Sequence, residues 1–326
     1  MYPSSTQRKH WTFSCENELD QLRKEANSKF IADNAKKLNL PEESFLTVAE
    51  ERSLLRHYEY ILKEFCARFQ PPVPRCVVNT AMIYMKRVFL HHSIMDYHPR
   101  EMMLACVYLS CKVEEFNVSI TQFVSNLKGD RNSFADLILG CELLLMQLLH
   151  YHLTIHSPSR PLEGFIIDAK TRCPEFADKM DSLRKGAESF IDRSLNSDVC
   201  LLFSPSQVAL AGLLHSAKKA SLNLDSYVTK ILVGDDDDKN KLPRLIEQIK
   251  KIRHMVGHIE PLDRENVRKI EQKLDKCRNA ENNPSSEVYK RKMEEKLEES
   301  EERQARKRQR LAEQDKEKER EVLGLS

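Results

Sequence analysis

Glycine is scarce in this chain, 8 of 326 residues, against an ordinary usage of about 7%. Tight turns are therefore few, and helices are the elements that need glycine least. No apolar run approaches the ~18 residues of a membrane-spanning helix. The first ten residues, Met1 to His10, have no apolar core of a secretory leader. Both absences predict a soluble chain that is not secreted. Nine cysteines are present with no Cys-x-x-Cys pair among them. Several lie in apolar helical runs such as Met102 to Cys111, so they read as reduced core thiols of an intracellular protein. A charge surplus is missing as well, with 52 basic residues against 50 acidic. That balance supplies no global field for nucleic acid or an anionic membrane, so any partner surface must be local.

Catalytic signatures are absent too. The chain has no Gly-rich phosphate loop, no Gly-x-Ser-x-Gly elbow and no His-Glu-x-x-His helix. His91, His92 and His98, like His150, His152 and His156, fall near helix ends without the cysteine or carboxylate spacing of a metal site. No cysteine is singled out as a nucleophile. The expectation is a non-enzymatic protein that needs no cofactor and no metal.

What the sequence does have is helical periodicity, in enough length for two domains that each bury a core. Leu19, Leu22, Ala26 and Phe30 form a narrow stripe behind Ser14, a candidate N-cap, and predict a helix docked on a larger body. A second helix spans about Val48 to Phe69 and stops at Gln70-Pro71-Pro72. A third, opened by Pro74, carries Val77, Val78, Ala81, Met82, Met85, Val88 and Phe89 on one face with Lys86 and Arg87 opposite, which predicts a half-buried helix. From Pro99 to Cys111 the next is apolar nearly all round and belongs at the centre of a bundle. A shorter helix with Phe123, Val124 and Leu127, and one of about Phe134 to Leu149, make five.

A second block reads as a copy of the first. Ser204-Pro205-Ser206-Gln207 has the form of a capping box with proline at the first helical position, and it opens another run of the buried type. A shift of 106 residues brings Pro99 onto Pro205, Leu104 onto Leu210, Ala105 onto Ala211, Ser110 onto Ser216 and Lys112 onto Lys218, a repeat in register. Leu183 to Leu195 and Leu245 to Val256 supply flanking helices, with the acidic Asp235 to Asp238 between them as a solvated loop. Beyond Pro261 an amphipathic helix carries Val267, Ile270, Leu274 and Cys277. From 285 to 326 the chain holds 12 basic and 12 acidic residues and is poorer in apolar ones than the rest of the chain. Pairs such as Glu299 with Arg303 and Glu302 with Arg306 suit a solvated, mobile helix. The run Arg306 to Arg310 is either one face of that helix or a nuclear import signal.

Two charges stand out in the first block. Lys112 closes the most apolar helix, and Glu142 sits alone among Leu137 to Met146. A lone charge in low dielectric is costly unless paired, so the two are expected to meet. They either satisfy each other inside the bundle, or lie at a helix-end surface and also serve a docking protein.

These features resemble the cyclin family. The carriers are Pro74-Arg75-Cys76-Val77-Val78-Asn79-Thr80-Ala81, Lys86-Arg87-Val88-Phe89-Leu90, Tyr97-His98-Pro99-Arg100, Leu109-Ser110-Cys111-Lys112-Val113-Glu114-Glu115-Phe116-Asn117-Val118 and Glu142-Leu143-Leu144-Leu145. Within the family the likeness is to the branch that serves the CDK-activating kinase, through Lys9-His10-Trp11-Thr12-Phe13-Ser14, Arg160-Pro161-Leu162-Glu163-Gly164-Phe165 and Leu201-Leu202-Phe203-Ser204-Pro205-Ser206-Gln207. It covers about residues 7 to 280. The resemblance implies an all-α fold of two tandem five-helix bundles with flanking helices. Its divisions would be an N-terminal helix and linker over 1–47, cyclin boxes over 48–158 and 159–258, a C-terminal helix over 259–284 and the charged tail over 285–326. It further implies that the first box binds a cyclin-dependent kinase near its C-helix through Lys112 and Glu142, with Glu115, Phe116 and Leu145 of the same motifs completing the set. Implied partners are the CDK-activating kinase catalytic subunit, the ménage-à-trois assembly factor and transcription factor IIH, acting in the nucleus on kinase activation loops and the RNA polymerase II C-terminal domain. The opening helix, Glu51-Arg52-Ser53-Leu54-Leu55-Arg56, lacks the Met-Arg-Ala-Ile-Leu patch with which cell-cycle cyclins recruit substrates. The competing readings are a transcription-factor-IIB-like protein, which puts the same double bundle on DNA, and another transcriptional cyclin such as cyclin C. Against the first stand the 40 basic and 38 acidic residues of positions 1–284, too even for a DNA-binding surplus.

Overall fold

The computed structural model describes residues 2–234, 240–259, 261, 263–283, 286–292, 294–295, 298, 302–303, 306–307 and 310, and among them every regular element is helical. Helix α1 (Thr6–His10) is capped by Ser5, whose side chain accepts from the Arg8 N–H. Helix α2 (Glu16–Leu38) follows, and its N-cap is Cys15, with no side-chain cap bond, in place of the expected Ser14. Ser14 contributes its backbone N–H instead, donated to Glu18 at 2.8 Å. The face α2 buries is Leu19, Arg23, Asn27 and Phe30. Two of those four are polar because this helix covers a charged seam as well as an apolar one.

The first bundle is α3 (Val48–Arg68), α4 (Arg75–His91), α5 (Pro99–Val113), α6 (Ile120–Ser125) and α7 (Arg131–Leu148). Thr47 with Glu50 caps α3 and Ser119 with Gln122 caps α6, each a reciprocal capping box. Helix α4 departs from its half-buried reading, because Asn79 to Leu90 is buried without a break. Helix α5 packs on one side of it and α2 on the other, so the face carrying Lys86 and Arg87 is covered by chain that lies far away in sequence. Lys86 there meets Glu59 of α3 at 2.7 Å, with the two side chains 5% and 4% exposed. Burial opposes the Lys86 charge, but Glu59 and then Asp198 outweigh it and hold its pKa above the ordinary lysine value.

The second bundle is α8 (Ser159–Arg172), α9 (Ala177–Ser194), α11 (Pro205–Lys219), the π-helical segment Tyr227–Val233 and α12 (Lys241–Gly257), with the short α10 (Val199–Leu202) inserted before α11. Ser204 and Gln207 form the expected capping box with Pro205 in the first turn. Gly186 and Gly212 let α9 and α11 close up. A Cβ at Gly186 would collide with the Ser216 side chain, and one at Gly212 would stand 3.2 Å from the Ala187 carbonyl. Helix α13 (Arg264–Cys277) then returns to the first bundle. Its Val267, Ile270, Leu274 and Cys277 join that core, Tyr58 donates to Glu271 at 2.9 Å, and Lys273 reaches Glu50 at 3.0 Å.

Each bundle thus has its own apolar core, and a small third cluster of Leu19, Leu90 and Leu201 lies where α2, α4 and α10 meet. Beside α10, Arg23 of α2 meets Asp198 at 2.8 Å, and at the opposite, N-terminal end of α4 Arg75 meets Glu188 of α9 at 2.6 Å. Burial pushes the Asp198 carboxyl up, yet Lys86 and Arg23 overcome it and hold it at about 2. Residues from Arg278 onward form a separate unit. In it Asn279 caps the turn Ala280–Asn282, and Arg306 pairs with Glu302 at 3.2 Å, one of the expected i,i+4 pairs. The Asp235–Asp238 loop, Glu299 and most of the tail, including part of the Arg306–Arg310 run, lie outside the described residues.

One buried acid in the first core carries a pH prediction. Glu51 is buried, accepts from the Ser93 hydroxyl, and has its pKa pushed by burial from 4.5 to about 7 against the hydrogen bonds of Ser93 and Asn27. The folded state therefore binds this proton more tightly than the unfolded chain. Its stabilising contribution is full below pH 4.5 and is lost as pH rises through about 7. Glu51→Gln is expected to raise stability at pH 8 by up to about 3 kcal/mol, with the gain gone near pH 4.5. Urea titrations at the two pH values check this, and an equal effect at both would refute the burial argument.

Candidate functional site

Helix α5 ends in a turn that sets the geometry of the site. Glu115 takes the left-handed conformation at φ 58. The Phe116 N–H donates to the Cys111 carbonyl at 2.8 Å and the Glu115 N–H to the Lys112 carbonyl at 3.3 Å, the paired bonds of a Schellman closure. Phe116 is thereby folded back, half-buried, against the first core, while Glu115 and Lys112 face solvent. Helix α7 lies alongside, and Glu142 accepts from the Lys112 ammonium with both oxygens, at 2.6 and 2.8 Å. The same ammonium stands 4.7 Å from the Tyr108 ring centroid.

The two anomalous charges therefore do meet, at the rim and not inside the bundle, since their side chains are 45% and 16% exposed. An ion pair this exposed contributes about 0–1 kcal/mol to folding. The charge pair that satisfies itself inside the core is Glu59–Lys86.

Leu145 corrects the expected set. It is fully buried in the first core, because on α7 it shares the inward face with Ile138, and it cannot touch a partner. The leucines that face outward are Leu139 and Leu143, at 46% and 56% exposure. One helical turn apart, they make an apolar stripe beside Glu142, and between them a Cβ on Gly140 would meet nothing within 4 Å. Helix α7 is apolar nearly all round yet buries only two residues completely. The sequence signal was present in that mismatch, because an apolar outer face that the chain itself leaves uncovered is a partner surface.

The histidines flagged in the sequence divide. His91, His150 and His152 gather around Trp11 with ring centroids 5.7, 6.2 and 6.3 Å away, and Trp11 donates its indole N–H to His152 at 3.0 Å. His98 caps α5. No group of three or more His, Cys, Asp or Glu side chains that could hold a metal ion occurs among the described residues, and none of the nine cysteines is in a disulfide.

This arrangement of two like bundles is matched by two family models, the cyclin N-terminal domain over residues 29–154 and the cyclin C-terminal domain over residues 157–257. Cyclin-H of Xenopus laevis is 41% identical over 286 residues, spanning 86% of this chain and 88% of that protein. The chain belongs to the cyclin family. A probable cyclin-H of Echinococcus multilocularis is 33% identical to this cyclin, over 88% of the chain and 95% of its own length. A chain of the ATP-γ-S-bound CAK complex of Chaetomium thermophilum superposes with a TM-score of 0.75 at 26% identity, over 92% of this cyclin and 94% of that chain. The cyclin is a non-catalytic regulatory subunit of a protein kinase. No helix among its described residues is long and apolar enough to cross a membrane.

Proposed function

We propose that this cyclin binds and activates the catalytic subunit of the CDK-activating kinase, and so promotes phosphorylation of CDK activation loops and of the RNA polymerase II C-terminal domain. The similarity to Xenopus cyclin-H and to a chain of the CAK complex supports the choice of kinase. The observation that carries the mechanism is the exposed Leu139–Leu143 stripe beside a solvent-facing Lys112–Glu142 pair. A kinase is active when the glutamate of its C-helix pairs with the strand lysine that holds the ATP phosphates. A protein whose surface favours the inward C-helix shifts the population toward that state without a catalytic group of its own. The apolar stripe buries against the kinase helix. Lys112, held in place by Glu142 and Tyr108, offers N–H donors to backbone carbonyls at the edge of the contact, where Glu115 and the rim of Phe116 complete it. Assembly with the ménage-à-trois factor, membership of transcription factor IIH and a nuclear location belong to the same proposal. So does the division of the chain into an N-terminal segment over 1–47, boxes over 48–158 and 159–258, a C-terminal helix over 259–284 and a charged tail over 285–326. The two separate apolar cores support it.

Lys112→Glu is the test. It sets two like charges against each other at the rim, so the melting temperature should move little, by the equivalent of about 1 kcal/mol or less. Capture of the CDK-activating kinase subunit in a pull-down should be lost. Retention of binding would remove Lys112 from the interface, and unfolding would return the pair to a purely structural role.

A further inference from the structure

The second bundle repeats the first closely enough for equivalent corners to be compared. The shift that carries Lys112 to Lys218 also carries the end of the helix. At the close of α11 Ser221 is left-handed at φ 55, the Leu222 N–H donates to Ala217 at 2.9 Å, and the Ser221 N–H donates to Lys218 at 3.2 Å. On the facing helices, a shift of 111 lays the buried Ile249 and Val256 of α12 on the buried Ile138 and Leu145 of α7. The same shift lays Arg253 on Glu142. Where the first bundle sets a base against an acid, the second sets two bases.

Lys218 and Arg253 line one recess of about 360 Å³ with Leu214, Ser221, Asn223 and Asp225. Neither cation has an ion-pair partner among the described residues, and Arg253 Nε is sealed from solvent with no acceptor. The pull of a helix C-terminus on cations accounts for Lys218 alone. It leaves unexplained an arginine in the middle of α12 whose guanidinium is partly desolvated without an acid. Burial alone depresses the Arg253 pKa, with no carboxylate raising it. His215, on the same corner, is held below its ordinary value by burial and then by Lys219, Arg193, Arg253 and Lys218, every one a cation. Asp225 sits at the edge of the recess, its backbone N–H tied to Asn223 at 2.7 Å, and its carboxylate pairs with neither cation.

We propose that this corner is an anion pocket that receives a phosphate monoester carried on a partner protein, with Arg253 as the directional donor, Lys218 as the second charge and Ser221 as a neutral donor. A single carboxylate would leave one of the two cations uncompensated. A phosphate ester carries nearly two charges at neutral pH and three acceptor oxygens, matching both cations and the two Nη groups of the planar guanidinium. A protein-borne ester is favoured over free phosphate because the recess opens at the corner that, in the first bundle, presents Lys112 and Glu142 to solvent.

The test uses the full chain and follows the Arg253 Nε–H resonance at constant ionic strength while N-acetyl-phosphoserine amide, inorganic phosphate or N-acetylglutamate amide is added. Saturable binding of the phosphoserine probe is expected, tighter than inorganic phosphate and roughly tenfold or more tighter than the glutamate probe. Arg253→Gln and the exposed Lys218→Gln, each checked by its melting curve, should weaken the phosphoserine probe by roughly tenfold, read for Arg253→Gln by calorimetry. Asp225→Asn should tighten it. A non-saturating response, equal affinity for the glutamate probe, or undiminished binding in Lys218→Gln would overturn the pocket. Inorganic phosphate binding more tightly than the phosphoserine probe would overturn its protein-borne source.

Discussion

Lys86→Met is expected to cost about 3–5 kcal/mol of folding stability, a large share of the ~5–15 kcal/mol that holds a protein folded. The side chains of Lys86 and Glu59 are 5% and 4% exposed, and their charged atoms stand 2.7 Å apart. Methionine fills the volume of the lysine stem, so little of the loss would come from packing. Nearly all of it would come from Glu59, left as a carboxylate in low dielectric. Asp198 loses one of its cations too, although Arg23 still holds it at 2.8 Å. The double variant Lys86→Met with Glu59→Leu removes the stranded charge and should recover to within about 1 kcal/mol of the natural protein, because a buried ion pair and an apolar pair of like volume are nearly equal in free energy. Urea unfolding of the two single variants and the double one measures this. A single-variant loss below about 1 kcal/mol, of the size expected for an exposed pair, would mean that water reaches the site.

That pair also shows what the sequence could not reveal. Periodicity placed α3, α4, α5 and α7 close to their observed bounds, and the Ser204-Pro205-Ser206-Gln207 pattern located the start of α11 to the residue, because these signals are local. The error on α4 was not local. Its apolar stripe fixes one buried face, but nothing within the helix tells that α2 and the α1 segment will cover the other, so Lys86 and Arg87 read as solvated. Helix α7 is the opposite case, because a segment this dense in leucine does not tell that Leu139 and Leu143 face outward. In both cases burial was decided by a surface outside the segment. It was supplied by the chain's own N-terminus in the first case, and on the function proposed here by a kinase in the second. The Lys112–Glu142 contact was legible because two lone opposite charges in apolar helices have few other places to go. That it lies at the rim depends on the exact end of α5 and its left-handed Glu115, which no pattern of residues announced.

Trp11→Ala is expected to release the N-terminal segment and to cost about 3–5 kcal/mol, the usual result of emptying a large aromatic site. Trp11 is 2% exposed and covers Arg87, whose guanidinium carbon lies 4.8 Å from the indole centroid. Arg87 is itself fully buried. Its Nη1 donates to the His152 carbonyl at 2.9 Å, while its Nε and Nη2 have no acceptor, and burial holds its pKa down at about 10. The indole face is thus the main compensation for a cation that has no acid. Removing it would leave that charge beside a cavity, which the chain could relieve by letting water in and the segment out. The segment reaches further than Arg87, since the Phe13 N–H donates to the Leu201 carbonyl at 2.8 Å and Arg23 bonds Asp198, so its release should also loosen the contact between the two bundles. Limited trypsin digestion reads the first effect as faster cleavage at Arg8 and Lys9, and thermal melting reads the second as a lower or broadened transition. Trp11→Phe keeps an aromatic face without the hydrogen bond to His152, and should retain most of the stability. If Trp11→Phe falls as far as Trp11→Ala, the hydrogen bond to His152 and not the face over Arg87 is what anchors the segment.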